Sequence, residues 1–170
     1  MVRSIGKGKG KEEVKEFHKL LSGVLREGFP EYSSGLVEFF INKDFSVENI
    51  RKQIESGEIT VLVDEEISGL VGFLVYEKLY GGVSYCPWVG VLREIRGRGV
   101  GRRLVEEWEK RILMENGHKL MILTQSKTNR KIFPKFGFRE EGFEKKSWFG
   151  LDAWVFGKII GEPKSEVFLK

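Results

Sequence analysis

The chain has 170 residues, of which 41% are hydrophobic, with 29 lysines and arginines against 25 aspartates and glutamates. This length predicts a single domain over residues 1–170, and the composition is typical of a folded protein rather than a disordered one. The single cysteine excludes an intramolecular disulfide and a cysteine-based zinc site, and a formal charge of +4 argues against a nucleic-acid binder.

The first third of the chain is predicted to be mostly helical. Apolar residues recur three and four positions apart from 12 to 27, the spacing of an amphipathic helix, and Gly28 and Pro30 end it. Ser46 is a suitable N-cap for a helix that ends at Gly57. The other predicted elements here are a strand over 2–5, a turn over 7–11 and a helix over 35–42.

The rest of the chain is predicted to be mostly strands, in a mixed α+β order. A parallel crossover, strand–turn–helix–strand, is expected within residues 83–124. The run from 120 to 124 is wholly apolar, which favours a strand buried on both faces. The predicted elements are a hairpin (59–63 and 69–76) with Asp64–Glu66 as its turn, a Gly81-Gly82 turn, a strand (83–92), a helix (100–115), a strand (120–124), a short helix or turn (129–136), a hairpin (145–149 and 153–160) around Gly150, and a loose tail from 161.

Targeting and metal-binding segments are not found in the sequence. No apolar run is long enough to cross a bilayer, and the residues after Met1 contain no apolar leader. We therefore expect a cytoplasmic protein without a membrane partner. The two histidines, His18 and His118, are far apart in sequence, so we expect no metal site.

The turn between the predicted strand 83–92 and the following helix carries the clearest chemical signal. Gly97, Gly99 and Gly101 alternate with other residues there, and five arginines surround them. Glycines allow the backbone to approach a ligand closely, and a helix N-terminus offers N–H groups to an anion. The pattern predicts a site for a pyrophosphate. Arg102 stands where the dinucleotide fingerprint requires glycine, and a Gly-Lys-Ser/Thr phosphate loop is missing.

The segment Arg96–Gly101 has the form Arg-x-x-Gly-x-Gly, and Ile132–Phe138 is a short helix that closes in an aromatic residue before Gly-Phe. Together, in this order, the two segments resemble the GCN5-related N-acetyltransferase (GNAT) family. The resemblance implies a mostly antiparallel mixed sheet, splayed at its central parallel strand pair, with flanking helices. It also implies acetyl-CoA as co-substrate, an amine as acceptor, no metal, and a monomer or homodimer.

The resemblance assigns the acetyl-CoA site to two stretches. The backbone of Val91–Arg93 would bind the pantetheine arm, and the backbone of Arg96–Gly101 the pyrophosphate. For Arg93, Arg102 and Arg103 a solvated basic face is an equal alternative, as it is for the positive charges of the later loop at Lys127, Arg130 and Lys131. The residues assigned to the cofactor are Val91, Leu92, Arg93, Arg96, Gly97, Arg98, Gly99, Val100, Gly101, Arg102, Ser126, Asn129 and Phe133.

The catalytic residues are less well defined, because the chain departs from the family at one position. The family usually places a tyrosine there to protonate the leaving thiolate, and this chain has Phe133. The thiolate would then leave unprotonated or take a proton from water, or Tyr85 or Ser84 would substitute. Tyr85 is the candidate catalytic residue, with a pocket wall as its alternative. Cys86 is expected to be a buried, inert thiol rather than a nucleophile.

The amine acceptor would be bound by the N-terminal helices, the 76–85 loop and the last hairpin. Many of the aromatic residues in these segments are also expected to be core. Acidic residues there would attract a cationic amine or form a solvated helix face. The aromatic residues are Phe29, Tyr32, Phe39, Phe40, Tyr80, Trp148, Phe149 and Trp154, and the acidic ones are Glu27, Glu31 and Glu38.

The sequence thus leaves three functional hypotheses. The first is an N-acetyltransferase in which the amine attacks acetyl-CoA directly in a ternary complex. The second, suggested by Phe133, is a catalytically inactive acyl-CoA-binding or regulatory module of the same fold. The third is a nucleic-acid binder that uses the arginine-rich turn, which the low net charge disfavours.

Overall fold

A computed structural model describes residues 1–6 and 11–169 of the chain. Its contacts divide into two compact units, Met1–Tyr76 with Trp88–Val105 and Glu77–Pro87 with Glu106–Lys170, here called the first and the second unit. The predicted turn over 7–11 falls, for residues 7–10, outside the described part of the chain. The mixed α+β class predicted from the sequence is confirmed.

The described residues form eight strands and five α-helices. The strands are β1 (Val2–Ser4), β2 (Ile59–Glu66), β3 (Gly69–Glu77), β4 (Val83–Cys86), β5 (Trp88–Val91), β6 (Lys119–Thr124), β7 (Arg139–Glu144) and β8 (Ala153–Ile159). The helices are α1 (Lys11–Gly28), α2 (Ser34–Phe39), α3 (Val47–Ser56), α4 (Val100–Met114) and α5 (Lys127–Ile132).

The first unit contains a four-stranded sheet in the order β1-β2-β3-β5. The amphipathic stripe of α1 faces the core, where Phe17, Leu21 and Leu25 have no exposed surface. Ser46 caps α3 as predicted, since its hydroxyl accepts a hydrogen bond from the N–H of Asn49 at 3.4 Å. The helix predicted over 35–42 is instead α2 followed by a π-helical turn, Phe40–Asp44.

The second unit contains a four-stranded sheet in the order β4-β6-β8-β7. β4 and β6 are parallel, as the predicted crossover requires. Trp108 of α4 is fully buried, and its indole N–H donates to the hydroxyl of Ser84 on β4 at 2.9 Å. The prediction that the 120–124 strand is buried on both faces is wrong: Leu120, Ile122 and Thr124 are buried, while the alternate residues are half-buried.

Three further predictions of secondary structure are wrong. The strand predicted over 83–92 ends at Cys86, because Pro87 has no N–H to continue a ladder, and β5 pairs with β3 instead. The last hairpin is formed by β7 and β8, so residues 145–152 are its connection rather than a strand. Asp64 lies inside β2 and is fully buried rather than part of a turn.

The tail predicted to be loose contains a short 3-10 turn, Ser165–Phe168. None of the helices in the described part of the chain is long and apolar enough to cross a membrane.

Candidate functional site

β5 forms one edge of the first unit's sheet and ends where the glycine- and arginine-rich turn begins. Gly72 on β3 is opposite Val91, and the N–H of Leu92 donates to the carbonyl of Val71 at 3.0 Å. Because hydrogen-bonded and non-hydrogen-bonded pairs alternate in an antiparallel ladder, the N–H and carbonyl of Val91 point away from β3. Of the three backbone positions expected to bind pantetheine, Val91 is therefore presented at the edge, whereas the N–H of Leu92 is used within the sheet.

The turn after β5 is shaped by two glycines. A 3-10 turn, Arg93–Ile95, leads to Gly97 and Gly99, whose φ angles of +83° and +81° are strained for residues with side chains. α4 then begins at Val100, and the Gly99 carbonyl accepts its first helical hydrogen bond. The N–H groups of Val100 and Gly101 consequently have no acceptor within the helix, as an anion site requires.

The five arginines around this turn have different roles. Nε of Arg96 donates to the carbonyl of Val91 at 3.2 Å, and Nη2 of Arg96 stands 3.3 Å from where a Cβ on Gly28 would lie. Arg96 therefore braces the turn against the end of β5, and its assignment to the cofactor site stays a prediction. Arg93, Arg98 and Arg102 are exposed around the turn.

Arg103 is held by Asp64, a residue that the sequence had placed in a hairpin turn. The Asp64 side chain is completely buried, and its Oδ2 accepts from Nε and Nη2 of Arg103 at 2.8 and 2.7 Å. Nη1 of Arg103 donates to the carbonyl of Arg98 at 3.1 Å. The amino group of Met1 donates to the other carboxylate oxygen of Asp64 at 2.9 Å. The pair therefore ties the glycine turn to β2.

Gly72 is a second residue that the sequence analysis missed. A Cβ at this position would lie 2.5 Å from Cγ1 of Val100 and 3.3 Å from Cδ1 of Leu104. The missing side chain lets the first turn of α4 lie directly against β3. Gly72 thereby sets the position of the helix N-terminus.

The later candidate residues lie in the second unit, where Ser126 caps α5. Its hydroxyl accepts from the N–H of Asn129 at 3.3 Å, and its own N–H donates to the hydroxyl of Thr124 at 3.1 Å. Ser126 is buried, whereas Asn129 is half-exposed. Arg130 is paired with Glu140 through two hydrogen bonds of 2.8 and 2.9 Å.

Phe133 is a core residue of the second unit. Only 3% of it is exposed, and its ring contacts Phe138 and Phe156 with centroids 6.1 and 5.5 Å away. A buried phenyl ring therefore stands at the position that the sequence resemblance assigns to the family's usual acid. The roles assigned to Phe133, Ser126 and Asn129 in cofactor binding stay predictions.

The three candidates on β4 differ in their surroundings. Ser84 is fully buried and accepts from Trp108, so its hydroxyl has a structural partner. The Cys86 thiol is fully buried, in keeping with the expected inert role. Tyr85 is on the opposite face of the strand, half-buried and level with Met121 on β6. A catalytic role for Tyr85 stays a prediction.

Several of the aromatic residues proposed for acceptor binding pack around Trp88 in the first unit. The rings of Phe29, Tyr32, Phe40 and Phe45 are within 6.4 Å of Trp88, each edge-on or steeply tilted to it. This aromatic cluster is half-buried at Phe29, Tyr32, Phe45 and Trp88 and buried at Phe40. The cluster is therefore partly core, as expected.

The remaining residues assigned to the amine acceptor are more dispersed. Arg26 and Asn42 donate to the carboxylate of Glu38, and the hydrogen bond from Arg26 lowers the pKa of Glu38. Glu38 is therefore part of an exposed helix-to-helix ion pair. Glu27 and Phe39 are exposed and Glu31 is half-buried in the first unit, while the second unit exposes Tyr80, Trp148 and Phe149 and buries Trp154.

Tyr32 provides a pH test of the aromatic cluster. Burial, followed by the negative charge of Glu31, raises the pKa of Tyr32 to about 12. An unfolded tyrosine ionises near pH 10, so the folded state should lose stability as the pH rises from about 10 through 12. In a spectrophotometric titration of the four tyrosines, we expect Tyr32→Phe to remove a step near pH 12. Loss of a lower step would show that the Tyr32 hydroxyl is hydrated.

Comparison with known proteins identifies the family. Residues 28–148, more than half of the chain, match the family model of the acetyltransferase (GNAT) domain. The chain therefore belongs to the GNAT acetyltransferase family, an acyltransferase family, as the two sequence segments indicated. No curated protein sequence matches the chain.

Solved structures share the fold at low sequence identity. PaiA N-acetyltransferase from Thermoplasma acidophilum, in complex with coenzyme A, is 17% identical with a TM-score of 0.80, over 94% of this chain and 98% of that one. Ribosomal-protein-alanine N-acetyltransferase from Brucella melitensis is 22% identical with a TM-score of 0.70, over 94% and 99%. An aminoglycoside 6′-acetyltransferase type Ii is 18% identical with a TM-score of 0.70, over 95% and 98%. At these identities the likeness shows the fold alone.

Proposed function

We propose that this protein is an N-acetyltransferase that moves the acetyl group of acetyl-CoA to a primary amine by direct attack in a ternary complex. The observation that carries the proposal is the turn at Gly97 and Gly99, followed by the N–H groups of Val100 and Gly101, which have no acceptor within the helix. The exposed arginines around this turn, Arg93, Arg98 and Arg102, supply positive charge for a pyrophosphate. The PaiA structure with coenzyme A supports the choice of ligand.

The chemistry requires little from side chains near the thioester. The neutral amine nitrogen attacks the carbonyl carbon, the C–S bond breaks, and the nitrogen gives up a proton to a base or to water. The N–H of Val91, which points off the edge of β5, is proposed to stabilise the oxyanion. CoA thiolate, with a solution pKa of about 8–9, leaves without an acid or takes a proton from water. Tyr85 is the candidate side chain for assisting proton transfer.

The inactive acyl-CoA-binding module remains the second candidate, because one specific observation favours it. Phe133 fills the usual position of the acid with a buried ring that cannot donate a proton. The two candidates differ in one observable, which is the release of CoA in the presence of amines. In both we propose a single domain over 1–170, acting in the cytoplasm as a monomer or homodimer, with no metal, membrane or nucleic acid as partner.

A thermal-shift titration with acetyl-CoA, with CoA and ATP as controls, tests the proposed function first. A ligand at 100 times its Kd adds about 2.7 kcal/mol to the stability of the folded state, which is easily measured. We expect a saturable shift with acetyl-CoA and CoA and little with ATP. A thiol-release assay across primary amines then separates the enzyme from the inactive module. No shift with either CoA species would contradict both candidates.

Arg96→Ala is expected to weaken acetyl-CoA binding by about 1–2 kcal/mol, or roughly 5- to 30-fold in Kd. The physical reason is that the turn loses its brace to the Val91 carbonyl. Arg96→Lys, which keeps the charge without the planar guanidinium, is the matched variant. If lysine restores the affinity, Arg96 acts through its charge on phosphate; if it does not, Arg96 acts as the brace. Calorimetric titration with CoA measures both variants.

A further inference from the structure

Exposed apolar side chains collect at one end of the second unit. This end is formed by the connection between β3 and β4, the C-terminal end of α4, the end of β8 and the tail that follows β8. Its exposed apolar residues, here called the end face, are each between 43% and 89% exposed; they are Tyr80, Leu113, Met114, Ile159, Val167 and Leu169. A contiguous apolar patch marks an interaction site, whereas single exposed apolar residues need no explanation.

Backbone hydrogen bonds of His118 bring these segments together. Immediately before β6, the N–H of His118 donates to the carbonyl of Gly82 at 2.8 Å, and the carbonyl of His118 accepts from the N–H of Ile160 at 2.9 Å. The turn before β4 and the end of β8 are therefore direct neighbours of the turn after α4. A Cβ on Gly161 would lie 3.3 Å from Cδ2 of Leu113, so the start of the tail passes over the end of α4.

A single residue anchors the tail while its neighbours stay exposed. The ring of Phe168 is half-buried and stands 3.1 Å from where a Cβ on Gly82 would lie. Val167 and Leu169, on either side of Phe168, are exposed. Because Phe168 holds the tail against the turn that carries Tyr80, the two flanking apolar side chains are held near that turn. The residues of the end face are therefore gathered by defined contacts rather than scattered over the surface.

The tail also carries charges of alternating sign. Glu162, Lys164 and Glu166 are exposed, and none of them forms an ion pair with another residue in the described part of the chain. In a two-fold symmetric contact the same patch is present on both partners, so a patch with both signs can pair lysine with glutamate. An anionic membrane or a nucleic acid would instead require an excess of basic residues. The charges therefore favour a second copy of this chain as the partner.

We propose that the end face is the contact surface of a homodimer, in which the end faces of two copies dock across a two-fold axis. The apolar residues form the centre of the contact, and the lysine of each tail lies opposite the glutamates of the other tail at its rim. This inference concerns the partner of the second unit and does not depend on the proposed N-acetyltransferase function.

Sedimentation equilibrium of the full chain measures the dimer directly. We expect a monomer–dimer equilibrium with a Kd of about 1 μM or lower, which an apolar contact of standard size reaches. Ile159→Glu should raise the Kd at least about tenfold, because association would bury a carboxylate among apolar side chains. Ile159 is exposed at the last position of β8, so the variant is expected to fold. Met114→Glu, on α4, is a second and independent disruption of the end face.

Ile67→Glu is the matched control. Ile67 is fully exposed in the turn between β2 and β3 of the first unit, outside the end face. The same substitution there should leave the Kd within about twofold of the wild-type value. The circular dichroism spectra of the three variants should match that of the wild-type protein, which shows that a change in Kd does not come from unfolding.

A mixing experiment tests the pairing of the two tails. Lys164→Glu makes the charges of the tail all negative, and the double variant Glu162→Lys with Glu166→Lys makes them all positive. Each variant alone should dimerise at least about fivefold more weakly than the wild-type protein, because like charges then face each other. An equimolar mixture should form a heterodimer with about the wild-type affinity. Added salt should reduce both effects.

Each outcome either supports or overturns this inference. A chain that stays monomeric at about 100 μM overturns it. A dimer that Ile159→Glu and Met114→Glu leave unchanged also overturns it, because another surface then forms the contact. A mixture that does not restore association overturns the two-fold arrangement of the tails.

The remaining alternative occupant of the end face is a membrane. A monomeric protein that sediments with vesicles of phosphatidylcholine and phosphatidylserine would overturn the homodimer and identify the end face as a membrane-binding surface. None of these measurements requires acetyl-CoA or turnover. The homodimer and the proposed N-acetyltransferase function can therefore fail independently of each other.

Discussion

Arg103→Met is expected to lower the free energy of unfolding by about 2–4 kcal/mol, because it leaves a buried carboxylate without its main partner. The Asp64 side chain is completely buried, and Arg103 donates twice to one of its oxygens. Methionine keeps much of the volume and removes the charge. The Met1 amino group still donates to the other oxygen of Asp64. The expected loss of stability is therefore smaller than for a buried charge without any partner.

A double-mutant cycle with Asp64→Asn isolates the pair in chemical denaturation experiments. Asparagine removes the buried charge, so the double variant should be more stable than Arg103→Met alone. If the two single substitutions lower the free energy of unfolding additively, the Asp64 carboxylate is solvated by water rather than by Arg103. Asp64→Asn alone leaves an arginine whose side chain is 43% exposed, and it should cost less than Arg103→Met.

The same substitution should also weaken acetyl-CoA binding. Nη1 of Arg103 donates to the Arg98 carbonyl, between the two glycines of the turn. Losing this bond frees a segment that must be ordered when a pyrophosphate binds, and that ordering costs free energy. Calorimetric titration under conditions where the variant is fully folded separates this effect from the loss of stability. Unchanged affinity would show that Gly97 and Gly99 alone define the turn.

The sequence was sufficient to predict the glycine turn and the helix after it, but not the contacts of the arginines around them. Alternating glycines and an amphipathic helix are local features, and the helix begins at Val100 as predicted, whereas the strand before the turn begins only at Trp88. Which arginine faces a ligand depends on distant partners. Asp64 is 39 positions before Arg103, and no local pattern in the sequence marks Asp64 as buried.

The errors in secondary structure have similar causes. Pro87 lies inside an apolar run, so the sequence favours one strand, yet its missing N–H is what separates β4 from β5. The 145–149 segment has aromatic residues that are typical of strands. The conformation of this segment depends on hydrogen bonds with Gln125 and Asp152. A pattern of hydrophobic residues does not predict such bonds.

Gly72→Ala is expected to destabilise the protein by about 2–3 kcal/mol and to weaken acetyl-CoA binding, although Gly72 lies outside the glycine turn. The added methyl group would stand 2.5 Å from Cγ1 of Val100 and 3.2 Å from the carbonyl oxygen of Gly90. β3 is central in its sheet and Gly90 belongs to the paired strand, so the start of α4 is the part that must move. Val100 is the first residue of that helix, and its N–H belongs to the proposed anion site.

Gly23→Ala is the matched control for this prediction. Gly23 lies inside α1, and no heavy atom would be within 4 Å of its added Cβ. Alanine in a helix interior should stabilise the protein by about 0.5–1 kcal/mol and leave acetyl-CoA affinity unchanged. If Gly72→Ala lowers stability without changing affinity, the helix N-terminus tolerates displacement and the glycine turn alone binds the anion. If Gly72→Ala lowers both stability and acetyl-CoA affinity, the contact between β3 and α4 determines the geometry of the anion site.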